Sequence, residues 1–202
     1  THNTLLAMLL PTVLEAPRAV ILTTAGLVVQ AKKMREEYQK HFDIRKDIKW
    51  LSYGILSSSK SSRILDKINP TLIISDEAQA LSSGNSARTK RFLRYMKAHP
   101  DTIFCAMSGS ITKRSLKDFE HLMRLALKTR SPLPRHWPVL EEWSEAVDGH
   151  RGETSFRPPG ALYELLDGIE SAREEIPPLT VPLARARYAV RRRMTDTVGV
   201  VS

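Results

Sequence analysis

Apolar and polar positions alternate along the first two thirds of the chain with two different periods. Leu5, Leu6, Met8, Leu9, Leu10, Val13 and Leu14 recur at helical spacing over residues 4 to 14, apolar around most of the circumference. Such a helix is expected to lie buried against a sheet. Pro17 then precedes Arg18 to Thr24, a β-branched run that reads as a strand ending in two hydroxyls. Gly26 is expected to break it before a helix over Leu27 to Phe42. A second strand is expected from Ile48 to Tyr53, closed by Gly54 and the serines at 57 to 59. Arg63 to Ile68 gives a short helix that Pro70 stops. The run Thr71-Leu72-Ile73-Ile74-Ser75 is a third strand, and it ends in Asp76-Glu77-Ala78-Gln79. A polar loop over Leu81 to Ser86 has helix-start chemistry, and Ala87 to His99 follows as a helix. Thr102 to Met107 is the fourth strand, ending in Ser108-Gly109-Ser110, and Ser115 to Lys128 is a further helix.

This order of helix and strand predicts an α/β fold: a mainly parallel sheet with helices on both faces, over residues 1 to 128. From Thr129 the texture changes. Eight prolines between Pro132 and Pro182 punctuate short helical pieces, including Val139 to Val147 and Ala161 to Glu170. Residues 129 to 202 therefore read as a proline-punctuated helical extension with a basic helix over Ala184 to Met194.

Parallel sheets present their sites at the carboxyl ends of the strands. Here those ends are Thr23-Thr24, Ser52-Tyr53-Gly54, Asp76-Glu77 and Ser108-Gly109-Ser110, a row of hydroxyls and acids suited to phosphate and magnesium chemistry. Two adjacent carboxylates after a buried strand are poorly explained by packing. One can hold a metal through water while the other polarises an attacking water. A strand that merely ends in a solvated turn is the plainer alternative.

Composition adds less. The 31 Lys and Arg against 22 Asp and Glu leave a formal net charge of +9, which favours a polyanionic partner such as nucleic acid. The single cysteine, Cys105, rules out an intramolecular disulfide and fits a reducing, cytoplasmic compartment; inside its apolar run it reads as a buried structural thiol. No stretch approaches the roughly 20 apolar residues of a membrane span, and the amino-terminal segment lacks the basic leader of a signal peptide. The six histidines show no ligand spacing with Cys105. Arg88, Lys90, Arg91, Arg94 and Lys97 recur around their helix and read as a solvated surface. The arginines at 185, 187 and 191 to 193 leave phosphate contact, an acidic partner or a connecting helix open. Trp50, Trp137 and Trp143 read as core residues.

Three of the strand ends resemble a known family. Thr23-Thr24-Ala25-Gly26-Leu27-Val28-Val29-Gln30 is similar to motif Ia of superfamily-two helicases. Asp76-Glu77-Ala78-Gln79 resembles motif II, the Walker B box of the DEAD/DEAH group, and Ser108-Gly109-Ser110 resembles motif III. In order and spacing they are similar to the first RecA-like lobe, a P-loop NTPase fold. The resemblance implies ATP and Mg2+ as cofactors and DNA as partner. It gives Asp76 the magnesium, Glu77 the attacking water, and Gln79 nucleotide sensing or coupling to a second RecA-like lobe in the same full-length chain. Ser108 and Ser110 would link nucleotide to nucleic acid, and Thr24, Gln30, Lys33 and Ser52 would lie near the nucleic-acid path. Thr1 falls where the threonine of the phosphate loop Gly-x-Gly-Lys-Thr would stand, beside nucleotide and metal, so the chain is expected to lack the loop's glycines and lysine. Gln79, where relatives carry Asp or His, places the chain nearer Swi/Snf-like and phage-type DNA enzymes than DEAD-box RNA helicases, and Ala25 replaces a basic residue of motif Ia.

The expected function is thus the first motor lobe of an ATP-dependent DNA helicase or translocase, inactive as an isolated piece. A degenerate lobe that binds nucleic acid or protein without turnover, and a metal-dependent nuclease using Asp76 and Glu77 directly, are the alternatives. In RecA-like sheets the motif III strand pairs with the phosphate-loop strand, so Thr102 to Met107 is expected at an open edge.

Overall fold

A computed structural model describes residues 2–109, 115–148 and 182–201. They fall into two compact units, Thr1–Ile111 and Thr112–Ser202.

The first unit is built on four short strands: β1 (Ala19–Thr23), β2 (Lys49–Ser52), β3 (Leu72–Asp76) and β4 (Ile103–Met107). All pair in parallel, in the order β2-β1-β3-β4. Every residue of β1 and β3 is buried, as the unbroken apolar runs require of central strands. β2 and β4 are partly exposed, and among the described residues β4 pairs with β3 alone. Among the described residues, β4 thus has the unpaired side expected of it.

Helices α1 (His2–Val13), α2 (Ala25–Tyr38), α3 (Tyr53–Ser57), α4 (Ile64–Ile68) and α5 (Ala87–Ala98) surround the sheet. Side chains alternate across a strand, so each face takes every second residue. Ile21 and Ile74 share a core with Ala7 and Met8 of α1 and with Met34 and Tyr38 of α2. On the opposite face Phe104 meets Phe92 of α5, ring centroids 4.9 Å apart. Helices thus cover both faces. The first helix is buried along one stripe only, since Leu6 and Val13 are exposed.

Capping sets several boundaries that periodicity misplaces. Gly26 does not break the chain. The Thr24 side chain accepts a hydrogen bond from the Leu27 amide, which starts α2 at Ala25 with Gly26 in its first turn, and the helix ends at Tyr38 rather than Phe42. Ser52 caps α3 in the same way, so Tyr53 and Gly54 are helical rather than the end of a strand. Ser86 caps α5. Asn69 closes α4 with a left-handed φ of 50°, just ahead of Pro70.

The second unit contains α6 (Glu120–Leu127), α7 (Trp137–Asp148) and α8 (Pro182–Thr195). Leu116, Met123, Leu140, Trp143, Val147, Ala189 and Met194 form one core, so the described part of 115–128 packs here. The Arg193 guanidinium lies 5.1 Å from the Trp143 ring centre, and Arg187 donates to the Val147 carbonyl at 3.0 Å, satisfying the carboxyl end of α7. Trp143 is core as expected, and Trp50 is half-buried against the first unit's core. Trp137 is not: it stands 56% exposed at the start of α7. The helix expected over Ala161 to Glu170 lies outside the described residues. Among those described, no helix is long and apolar enough to cross a membrane.

Candidate functional site

The strand register assembles the row of polar ends. Thr23 sits opposite Ser52, Leu22 opposite Ser75, and Asp76 opposite Met107, so Ser52, Thr23, Asp76 and Ser108 follow one another along the carboxyl edge. Two hydrogen-bonded clusters hold the middle of it.

The first fixes Asp76. The residue is 4% exposed, and its Oδ2 accepts the Thr23 hydroxyl at 3.2 Å. Burial pushes the Asp76 carboxyl above its ordinary range. The Thr23 hydrogen bond opposes that rise, and the neighbouring Glu77 charge adds to it. From the other side comes Tyr53, buried at the first position of α3. Its hydroxyl donates to the Asp76 carbonyl at 2.6 Å and lies 2.7 Å from the Ser75 hydroxyl. A phenol has one proton. With that proton on the carbonyl, Ser75 is the donor to the Tyr53 oxygen. Burial raises the Tyr53 hydroxyl far above its ordinary value, so it stays protonated and donating at neutral pH.

The second cluster fixes Glu77. This residue leaves β3 in the left-handed region, φ 59° and ψ 54°, before a single 3-10 turn over Ala78–Leu81. A non-glycine residue is strained there. The turn brings Gln79 back onto it: Gln79 Nε2 donates to Glu77 Oε2, and Gln79 Oε1 accepts the Ser108 hydroxyl at 2.7 Å. The amide thus bridges the acid at the end of β3 to the hydroxyl following β4. Of the expected catalytic residues, Asp76, Glu77 and Gln79 are brought together, with Ser108 beside them.

The other expected residues stand apart from this cluster. Thr24 and Ser52 spend their hydroxyls on helix caps. Gln30 and Lys33 are exposed one turn apart on α2. Thr1 and Ser110 lie outside the described residues. Of the five α5 cations Arg88 is half-buried, and the other four divide into two kinds. Lys90 and Lys97 are exposed, as a solvated face would have them. Arg91 instead donates to the Leu56 and Ser58 carbonyls at 2.5 and 2.7 Å, and Arg94 to the Ser62 carbonyl and Asp66 at 2.7 and 3.0 Å. They tie α5 to α3 and α4.

Sequence reasoning placed Thr23 and Tyr53 in the row of polar strand ends without giving either a partner, and it missed Ser75. One signal was available: Ser75 is a lone hydroxyl inside an apolar strand, which needs a buried partner.

Magnesium is commonly held by one or two carboxylates, the rest of its shell coming from water and substrate phosphates. Asp76, a hard oxygen donor whose buried charge a cation would offset, fits that mode. No family model matches the chain, and no curated protein does either.

Proposed function

We propose that residues 1–111 form the nucleotide-hydrolysing part of a RecA-like first lobe, from an ATP-dependent DNA helicase or translocase. The observation that carries this reading is the junction at the carboxyl edge. Asp76 and Glu77 end a central parallel strand, and Gln79 joins Glu77 to Ser108 at the end of the adjacent strand. The residues that resemble motifs II and III thus meet at one edge of the sheet. The open side of β4, where a phosphate-loop strand would pair, also supports it.

In this reading Asp76 orients Mg2+, which when bound neutralises phosphate charge. Thr23 holds the Asp76 carboxylate in place. Glu77 accepts a proton from the attacking water, and the Gln79 amide keeps its carboxylate directed. Ser108, through Gln79, ties the acid to the next strand. The cationic surplus of the chain would serve the phosphates of DNA.

Mg2+-dependent ATP hydrolysis stimulated by DNA tests the proposal in the full-length protein. It should disappear on Glu77→Gln. DNA binding without any nucleotide turnover would favour a degenerate binding lobe. Cleavage of DNA with Mg2+ and no nucleotide would favour a nuclease.

A further inference from the structure

Tyr53 does more than fill space. It follows β2 directly, yet its hydroxyl reaches the end of β3 with β1 lying between them. That is two strand spacings, about 9–10 Å, and a tyrosine side chain lying along the sheet covers much of it. A phenylalanine would fill the same volume. The hydroxyl therefore needs its own explanation, and so does Ser75, a fully buried hydroxyl in an otherwise apolar run.

The explanation lies in what the hydroxyl touches. Its one proton goes mainly to the Asp76 carbonyl at 2.6 Å, with the Glu77 carbonyl a second, weaker acceptor at 3.4 Å. Those carbonyls belong to the two peptide planes that flank the Glu77 Cα. Fixing both planes fixes φ and ψ of Glu77, the residue held in the left-handed region. A strained conformation persists only where its surroundings over-determine it, and Tyr53, with Ser75 behind it, supplies that constraint from the backbone side.

We infer that Tyr53 is a positioning residue for Glu77, its hydroxyl clamping the peptide planes on either side and so aiming the Glu77 carboxylate. The clamp itself is independent of function; only the consequence for hydrolysis rests on the motor-lobe reading. Thr23 makes a useful contrast, because it touches the Asp76 carboxylate and not the Glu77 backbone.

Three single variants of the full-length protein test this: Tyr53→Phe, Ser75→Ala and Thr23→Val. Amide hydrogen exchange at residues 77 to 79 should quicken by about tenfold or more in Tyr53→Phe, less in Ser75→Ala, and little in Thr23→Val. In steady-state hydrolysis Tyr53→Phe should lower kcat by about 10- to 100-fold with KM for ATP unchanged. Thr23→Val should instead raise the Mg2+ concentration needed for half-maximal rate. Wild-type exchange in Tyr53→Phe would overturn the inference, and so would quickened exchange with wild-type kcat. If the wild-type protein itself hydrolyses nothing, the motor-lobe reading fails, and the exchange measurement alone decides whether Tyr53 positions Glu77. Should Tyr53→Phe prove too unstable, Ser75→Ala carries the same comparison.

Discussion

Glu77 meets two opposed demands: its backbone conformation suits glycine, while its side chain is the carboxylate beside Gln79. Left-handed backbone costs an L-residue about 1–2 kcal/mol, and glycine gives back part of that gain as lost chain entropy. Glu77→Gly should therefore raise stability by up to about 1 kcal/mol in a denaturant titration and, on the proposed function, remove hydrolysis. Glu77→Gln, which keeps the strain, should leave the midpoint where it was. A destabilised glycine variant would mean that the bond to Gln79 outweighs the strain. Asp76 stores a cost of a different kind. Its carboxyl is pushed above the ordinary range chiefly by burial, so the folded chain binds that proton more tightly than the unfolded chain does. The ionised group thus lowers stability at neutral pH. The penalty fades as pH falls through the raised folded value, and it is gone below the unfolded one, about 3.9. Asp76→Asn, which keeps an acceptor for Thr23, should melt higher than wild type at pH 7. Its advantage should shrink steadily towards pH 4. An advantage that is constant with pH would point to packing rather than charge.

Secondary elements were legible where apolar period and length agreed. The unbroken runs Ala19 to Leu22 and Leu72 to Ile74 read as buried strands, and the alternation of helix and strand predicted the parallel pairing that is found. Boundaries were lost to side-chain caps. Thr24 and Ser52 looked like polar strand ends, and only the bonds from the Leu27 and Ile55 amides show that they start helices. Asp76 and Glu77 were legible because paired acids after a buried strand lack a packing explanation. Tyr53 was legible only as a polar strand end and its partners were not, since a contact spanning three strands leaves no local pattern. Arg91 was misread for a similar reason: its spacing on α5 is that of a solvated cation, yet its partners are 33 and 35 residues away. Hydrogen bonds from charged donors contribute roughly 1.5–3 kcal/mol when their loss leaves carbonyls unsatisfied. Arg91→Met should consequently cost about 2 kcal/mol in chemical denaturation, and Lys90→Met, on the exposed side, close to nothing. Equal small effects would show that water replaces the guanidinium at the Leu56 and Ser58 carbonyls.

At the scale of the molecule, charge and edge exposure both single out the sheet unit. Residues 1–111 hold 16 Lys and Arg against 9 Asp and Glu, and residues 112–202 hold 15 against 13. If the proposed DNA partner is right, sequence-independent affinity for it should belong mainly to the first unit. The same unit carries the open side of β4, where Ile103 is 45% exposed and Cys105 half-buried. An apolar edge strand is a template for pairing with another chain, and natural proteins blunt such edges with charge, most often lysine. No residue from Ile103 to Met107 is charged, so nothing within the strand opposes pairing. Residues 1–202 in isolation should then associate as concentration rises, with the apparent mass in sedimentation velocity increasing over the micromolar range. Ile103→Lys puts a charge on the exposed side chain of this edge without touching the buried face, which Phe104 fills against Phe92. It should keep the chain monomeric while leaving the melting temperature within a degree or two. Association that persists in Ile103→Lys would place the contact elsewhere on the surface, and a chain that stays monomeric without the substitution would mean that β4 is already covered.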